Sequence, residues 1–137
     1  MTTTPDDTYP HNPHMMTWAG YVISTLPVLM LMMSAYFKFA GGEKMAEGLA
    51  KSGWTMDLMR GVGVVELICV ALYIIPQTAG LGAILLTGYL GGAVATHVRI
   101  GDGPGEYFMP ILLGVMLWGG LWLRDPRVRQ ILPFRAI

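Results

Sequence analysis

Four long apolar segments dominate the chain, and charged or turn-forming residues separate them. The segments cover residues 18–38, 57–75, 78–98 and 107–123. Each is close to the ~20 residues that a helix needs to cross ~30 Å of hydrocarbon at ~1.5 Å per residue. The pattern therefore predicts an all-α fold, an antiparallel bundle of four transmembrane helices within residues 18–124.

The segments between and around these helices are short and polar. Residues 41–56 place apolar side chains among charged ones, which favours a short helix on the membrane interface or else a plain loop. Pro76-Gln77 predicts a tight turn, and residues 99–106 predict a Gly/Pro turn. Residues 1–17 lack an apolar period and are expected to be a disordered tail, and residues 125–137 a short basic tail.

Composition agrees with a membrane protein and narrows its partners. The chain is 53% hydrophobic and 13% charged, whereas globular chains average about 25% charged. Nine basic and nine acidic residues give no net charge, so we expect the lipid bilayer as partner and no nucleic acid. The one cysteine, Cys69, excludes an intrachain disulfide and a cysteine-based metal centre. No metal site is predicted.

Small residues recur at four-residue spacing in the third span. Gly88, Gly92 and Thr96 follow one another, and Gly80 lies on the same stripe. Such a stripe lets a neighbouring helix backbone approach closely. We therefore expect this face to pack against another span.

Glu66 lies near the predicted membrane midplane, about 13 Å beyond Asp57 along the helix. A carboxylate there costs several kcal/mol unless it is protonated or paired. We expect the protonated form, because Arg60 points away around the helix; the alternative cationic partner is Lys38, reaching inward from span one. Glu66 is thus the first catalytic candidate, facing an internal polar cavity. The alternative is a carboxyl that donates one interhelical hydrogen bond.

Other polar residues extend this candidate site. His97 is the second catalytic candidate, or else a histidine at the wet interface. Lys38, Arg60 and Arg99 gather at one mouth of the bundle as substrate-binding candidates, or else they snorkel to the headgroups. The deeper substrate-binding candidates are Tyr73, Tyr89 and Thr87, for which an interhelical hydrogen bond is the alternative.

Three stretches together resemble a known family. They are Ser34-Ala-Tyr-Phe-Lys38-Phe, the run from Glu66 to Pro76, and the run from Leu81 to Arg99. The pattern resembles the DoxX-like family of small bacterial four-helix membrane proteins, over about residues 20–124. The resemblance implies a place in the bacterial cytoplasmic membrane. The family takes its name from respiratory thiosulfate-to-quinone oxidation, so the resemblance also suggests quinone, although no cofactor is evident from the residues.

The residues and the resemblance are compatible with three functions. The first is a subunit of an oxidoreductase that acts on quinone or another lipophilic substrate, working with a partner subunit or as a homo-oligomer. The second is a cofactor-independent acid–base enzyme, an isomerase or cyclase, that acts on a lipophilic small molecule through Glu66, Tyr89 and His97. The third is a non-catalytic membrane assembly or binding factor. The fold alone does not decide among them.

Overall fold

The computed structural model describes residues 13–132, and within that range the chain is helical and has no strand. Four helices have 19 to 28 residues and two are short. In chain order they are α1 (Pro13–Ala40), α2 (Glu43–Ser52), α3 (Met56–Ile74), α4 (Ala79–Arg99), α5 (Pro104–Arg124) and α6 (Pro126–Ile131). The prediction of an all-α fold is confirmed.

The four long helices contact one another in a ring, in the order α1, α3, α4, α5 and back to α1. Neighbours in the ring run in opposite directions. Ser24, in the first half of α1, lies 3.0 Å from the hydroxyl of Tyr73 at the end of α3. Gly20 of α1 likewise lies against Gly120 in the last turns of α5.

Three of these helices, α1 from His14 onward, α4 and α5, are long and apolar enough to cross a membrane. The fourth, α3, does not meet the same measure because its 19 residues include Asp57, Arg60 and Glu66. The outer surface is apolar as well, with large side chains such as Val22, Ile84 and Val115 more than 60% exposed. Helices that are apolar on all sides are typical of membrane spans.

Several helix ends differ from the predicted boundaries. The first helix begins at Pro13, so the predicted polar tail ends earlier than residue 17, and residues 1–12 lie outside the described part. Residues 125–132 form a helical turn where a tail was expected, because the Asp125 carboxylate accepts a hydrogen bond from the Arg127 N–H and Pro126 occupies the first turn. Residues 133–137 are not described.

The connection between the first two long helices contains the short helix α2, which is the first of the two predicted alternatives, and is not a plain loop. It ends at Gly53, whose φ of +79° is the left-handed conformation that glycine adopts readily and whose N–H donates to the Leu49 carbonyl. Thr55 then caps α3, its hydroxyl accepting from the Leu58 N–H at 3.3 Å. Only three residues therefore separate the end of α2 from the start of α3.

The close helix contacts occur at glycines other than the predicted stripe. A Cβ added at Gly82 would lie 2.5 Å from the Tyr73 Cα, and one at Gly20 would lie 2.6 Å from the Gly120 oxygen. In contrast, a Cβ at Gly80, Gly88 or Gly92 would meet nothing within 4 Å. The packing prediction for that stripe was wrong, because the buried face of α4 is instead formed by Ala79, Gly82, Ala83, Leu86 and Leu90.

Candidate functional site

A buried pair of opposite charges joins α1 to α3. Nζ of Lys38, in the last turn of α1, lies 2.9 Å from Oε2 of Glu66, in the middle of α3. The Glu66 side chain is fully buried and that of Lys38 is 12% exposed. The second carboxylate oxygen, Oε1, is also buried and has no hydrogen-bond partner among the described residues. The prediction of a protonated, unpaired Glu66 therefore differs from the structure, in which Lys38 is its cationic partner.

Small and hydroxyl side chains position this pair. Gly63 lies one turn before Glu66, and a Cβ there would be 3.2 Å from the Lys38 Cβ, so α1 and α3 are close at this level. Lys38 also donates to the hydroxyl of Ser34, one turn earlier in α1. From α4, the Tyr89 ring centre lies 5.8 Å from Lys38 Nζ, within the range of a cation–π contact. Three of the four long helices therefore contribute to the site.

The two ends of the pair offer different chemistry. The Lys38 ammonium is a donor with some access from outside, whereas Glu66 Oε1 is an acceptor with no donor at hydrogen-bond distance among residues 13–132. An unsatisfied buried acceptor is rare in proteins and costs ~1–3 kcal/mol, more when it is charged. The arrangement can bind a group that both accepts and donates a hydrogen bond, and it can pass a proton to that group.

His97 belongs to a second cluster of polar residues, at the C-terminal end of α4. Its Nδ1 lies 2.6 Å from Oδ2 of Asp102, whose Oδ1 also bonds Lys51 of α2. Arg99 donates to the carbonyl of Ser52, at the end of α2. These contacts fasten α2 to the end of α4 and to the turn that follows it.

Within this cluster the pKa values of Asp102 and Lys51 are displaced from their ordinary values. The hydrogen bond with His97, followed by that with Lys51, lowers the pKa of the Asp102 carboxyl below its ordinary value. The hydrogen bond with Asp102 raises the pKa of Lys51. The cluster is therefore an ionic contact between surface segments, separate from the Lys38–Glu66 pair.

The remaining predicted residues lie in other places. Arg60 is exposed and pairs with Asp57 at 3.9 Å, so it does not contact Glu66, as expected. Thr87 accepts a hydrogen bond from the indole of Trp118 at 2.7 Å. Tyr73 shares the buried face of α3 with Glu66, but it lies toward the other end of the bundle and donates to the Leu117 carbonyl at 2.6 Å. Of the predicted residues, the structure brings together Lys38, Glu66 and Tyr89.

Sequence reasoning missed two residues that take part in these contacts. Ser34 precedes Lys38 by four residues, a spacing that places two side chains on one helix face, so the signal was present. Arg124 donates to the Tyr73 carbonyl at 3.1 Å and lies near the rings of Tyr73 and Tyr21. No local pattern indicates that contact, because it joins residues 51 positions apart.

Two cavities can be described, and neither is bordered by Glu66 or Lys38. The first, of about 600 Å³, is an apolar groove between α4 and α5. The second, of about 430 Å³, lies between the start of α1, the α3–α4 turn and the start of α6, and includes Arg124 and Arg127. The prediction of a cavity around Glu66 is not met by either of these two.

Comparison with known proteins gives one match. Searches of curated proteins and of solved structures find none. The model of the DoxX-like family matches residues 22–120, which include Lys38, Glu66 and Tyr89. Since this is well over half of the 137 residues, and since three of the helices that it overlaps are apolar enough for a membrane, the chain belongs to the DoxX-like family.

Proposed function

We propose that the protein spans the bacterial cytoplasmic membrane four times and that its Lys38–Glu66 pair binds the oxygen of a quinone or of another lipophilic carbonyl compound. The position of α3 supports the fourth span. Its 19 residues extend ~28 Å, close to the ~30 Å of the hydrocarbon. It contacts α1 and α4, two of the three apolar helices. Asp57 and Arg60 lie at its start, where side chains reach the headgroups.

The observation that carries the proposal is the asymmetry of the Glu66 carboxylate. One oxygen is held by Lys38, and the other is buried with no hydrogen-bond partner in the described part of the chain. A buried acceptor of this kind is satisfied when a ligand hydroxyl donates to it. The 12% exposure of Lys38 marks the side from which a ligand would approach.

The residues would act on such a ligand through hydrogen bonds and protons. The Lys38 ammonium donates to a carbonyl oxygen and stabilises negative charge that develops on it. Glu66 Oε1 accepts from the hydroxyl of the reduced form, and the pair holds the proton that the carbonyl oxygen gains. When bound, quinone would supply two-electron redox chemistry, and the electrons would come from a partner redox subunit.

A matched pair of variants tests this role. The protein is purified without oxygen in lipid nanodiscs with the reduced, quinol form of a respiratory quinone, and the quinol retained is measured for wild type, Glu66→Gln and Asp57→Asn. We expect Glu66→Gln to reduce retention at least about tenfold, the loss of one charged hydrogen bond. Asp57→Asn should retain the quinol as wild type does, because the Asp57 side chain is 97% exposed. Equal retention by both variants would contradict the proposal.

The acid–base enzyme is a second candidate, supported by the same pair. Lys38 and Glu66 can exchange a proton with a substrate without any electron donor, and Tyr89 lies beside them to orient it. His97 is hydrogen-bonded to Asp102 and would act in this scheme only from the second cluster.

Mass spectrometry of the lipophilic molecules that copurify with the protein distinguishes the two functions. If the copurified molecule is isomerised on incubation but is neither oxidised nor reduced, the result supports the acid–base enzyme. Absence of any retained lipophile would favour the assembly factor.

A further inference from the structure

The groove between α4 and α5 is the larger of the two described cavities and plays no part in the proposed function. Along α5 it extends from Pro110 to Trp122, which is ~18 Å at ~1.5 Å per residue. One leaflet of the hydrocarbon is about half of ~30 Å thick. The groove is thus about as long as the part of a lipid chain that lies in one leaflet.

Glycines border the groove, and a hydrogen bond joins two of its other lining residues. Gly91 of α4 and Gly119 of α5 both border it, and a Cβ added at either would meet nothing within 4 Å. Trp118 crosses from α5 to bond Thr87 of α4 at 2.7 Å, which satisfies both polar groups. The surface that remains open to an occupant is apolar, and it accepts a hydrocarbon chain without loss of hydrogen bonds.

One end of the groove adjoins positive charge. Trp122 and Leu132 border that end, and the guanidinium carbon of Arg129 lies 6.0 Å from the centre of the Trp122 ring. Residues 124–129 contain three arginines and one aspartate. Basic side chains beside an apolar groove between membrane helices favour anionic lipid headgroups.

We propose that this groove binds one acyl chain of an anionic phospholipid, with the lipid phosphate at Arg129. Arg129 gives Nη1 to the Leu123 carbonyl at 2.8 Å. A guanidinium has five N–H donors, so others remain for a phosphate oxygen. The site lies on the outer side of α4 and α5 and does not depend on quinone binding at Lys38 and Glu66.

The test uses tryptophan quenching by lipids with dibrominated chains. Trp18 and Trp54 are replaced by Phe, which leaves Trp118 and Trp122 as reporters beside the groove. The protein is reconstituted in phosphatidylcholine that contains a small fraction of dibrominated phosphatidylglycerol or, separately, of dibrominated phosphatidylcholine. We expect the apparent association constant of the anionic lipid to be about fivefold higher, as one basic residue near the membrane surface provides.

Two neighbouring glycines give the matched control. In the same background, Gly91→Leu fills the groove and should abolish the preference for the anionic lipid. Gly92→Leu should leave it unchanged, because Gly92 also has no neighbour within 4 Å but does not border the groove. The melting temperatures of both variants should remain near that of the parent, which keeps folding apart from binding.

Other outcomes would overturn the proposal. Equal quenching by the two lipids in the parent protein would mean that the groove does not select charge. Weak quenching by both lipids would mean that protein, and not lipid, covers the two indoles.

Two arginine variants test the headgroup contact. Arg129→Gln should remove the preference for the anionic lipid while quenching by the acyl chain persists. Arg127→Gln, an exposed change on the same helix, should leave the preference unchanged. Soluble glycerol phosphate should not compete, since the acyl chain supplies much of the binding.

Discussion

At Glu66 the two oxygens of one carboxylate have different surroundings, and this asymmetry bears on stability as well as on function. The oxygen near Lys38 has a charged partner, and the other is buried with none among the described residues. Removal of one member of a buried ion pair leaves the other charge without compensation. Replacement of both members by apolar residues avoids that cost.

We therefore predict that Lys38→Met lowers the free energy of unfolding by about 3–5 kcal/mol. The double variant Lys38→Met/Glu66→Leu should recover most of that loss. Thermal unfolding in detergent measures both, and Lys44→Met, an exposed change in α2, is the control. A Lys38→Met variant as stable as wild type would mean that the pair does not hold α1 to α3.

Tyr73 offers a second test at the scale of one atom. Its hydroxyl donates to the Leu117 carbonyl and lies 3.0 Å from Ser24 Oγ, so it links α3 to α5 and to α1. Tyr73→Phe should lower the free energy of unfolding by about 1 kcal/mol, the typical net value of a hydrogen bond. Tyr36→Phe, at a site 64% exposed, should have no measurable effect. Equal melting temperatures for the two variants would contradict this prediction.

At the scale of the helices, much of the fold followed from sequence, but the helix contacts did not. Runs of apolar residues placed the long helices to within a few residues, and Pro76 marked a real turn. The glycine stripe of α4 failed because a helix with small residues on several faces does not indicate which one meets a neighbour. Gly82 was the glycine that did, and it stands between Leu81 and Ala83 with no periodic signal of its own.

The glycines of α4 give a matched pair for this conclusion. Gly82→Ala should reduce the melting temperature markedly, because its Cβ would lie 2.5 Å from the Cα of Tyr73 and the helices would have to separate. Gly92→Ala should be neutral or slightly stabilising, since alanine favours helix by up to ~1 kcal/mol. Comparable melting profiles would show that α3 and α4 do not cross at Gly82.

The attachment of α2 should depend on pH through Asp102. Because the pKa of this carboxyl is lowered in the folded protein, its contribution is complete above the ordinary carboxyl range of about 4 and is lost as pH falls through the lowered pKa. The raised pKa of Lys51 removes its contribution only at strongly alkaline pH.

Trp54, two residues beyond α2, is the reporter for this contact. In a variant whose other three tryptophans are Phe, the Trp54 emission should shift to longer wavelength as pH falls below about 4. In the same background Asp102→Asn should show the shifted emission already at neutral pH. A titration identical in the two proteins would contradict the role of Asp102.

At the scale of the whole molecule, the number of spans determines where the chain ends lie. With α3 in the membrane, the chain crosses four times and both termini lie on one side. With α3 outside it, three crossings place the termini on opposite sides. Reporter fusions at each end, active only in the cytoplasm or only outside it, should report the same side. Opposite sides would contradict the four-span proposal.

The candidate site could be predicted from sequence only in part, for a reason that also lies at this scale. The cost of a midplane carboxylate singled out Glu66 without any structure. Its partner Lys38 was recognised only as within reach, because the pairing depends on how α1 and α3 cross at Gly63. Arg60 and Arg99 were predicted at the same mouth of the bundle, but the structure does not bring them together. Arg60 pairs with a residue of its own helix, and Arg99 bonds the end of α2.

The chain's one cysteine can report how often the helix bundle opens. Cys69 is 4% exposed and faces the centre of the bundle three residues after Glu66. A membrane-permeant maleimide can reach its sulfur only during the intervals in which α3 moves away from its neighbours. The labelling rate therefore measures how often α3 opens. A comparison of the rates with and without a ligand would show whether the ligand changes how often the neighbouring Lys38–Glu66 pair is exposed.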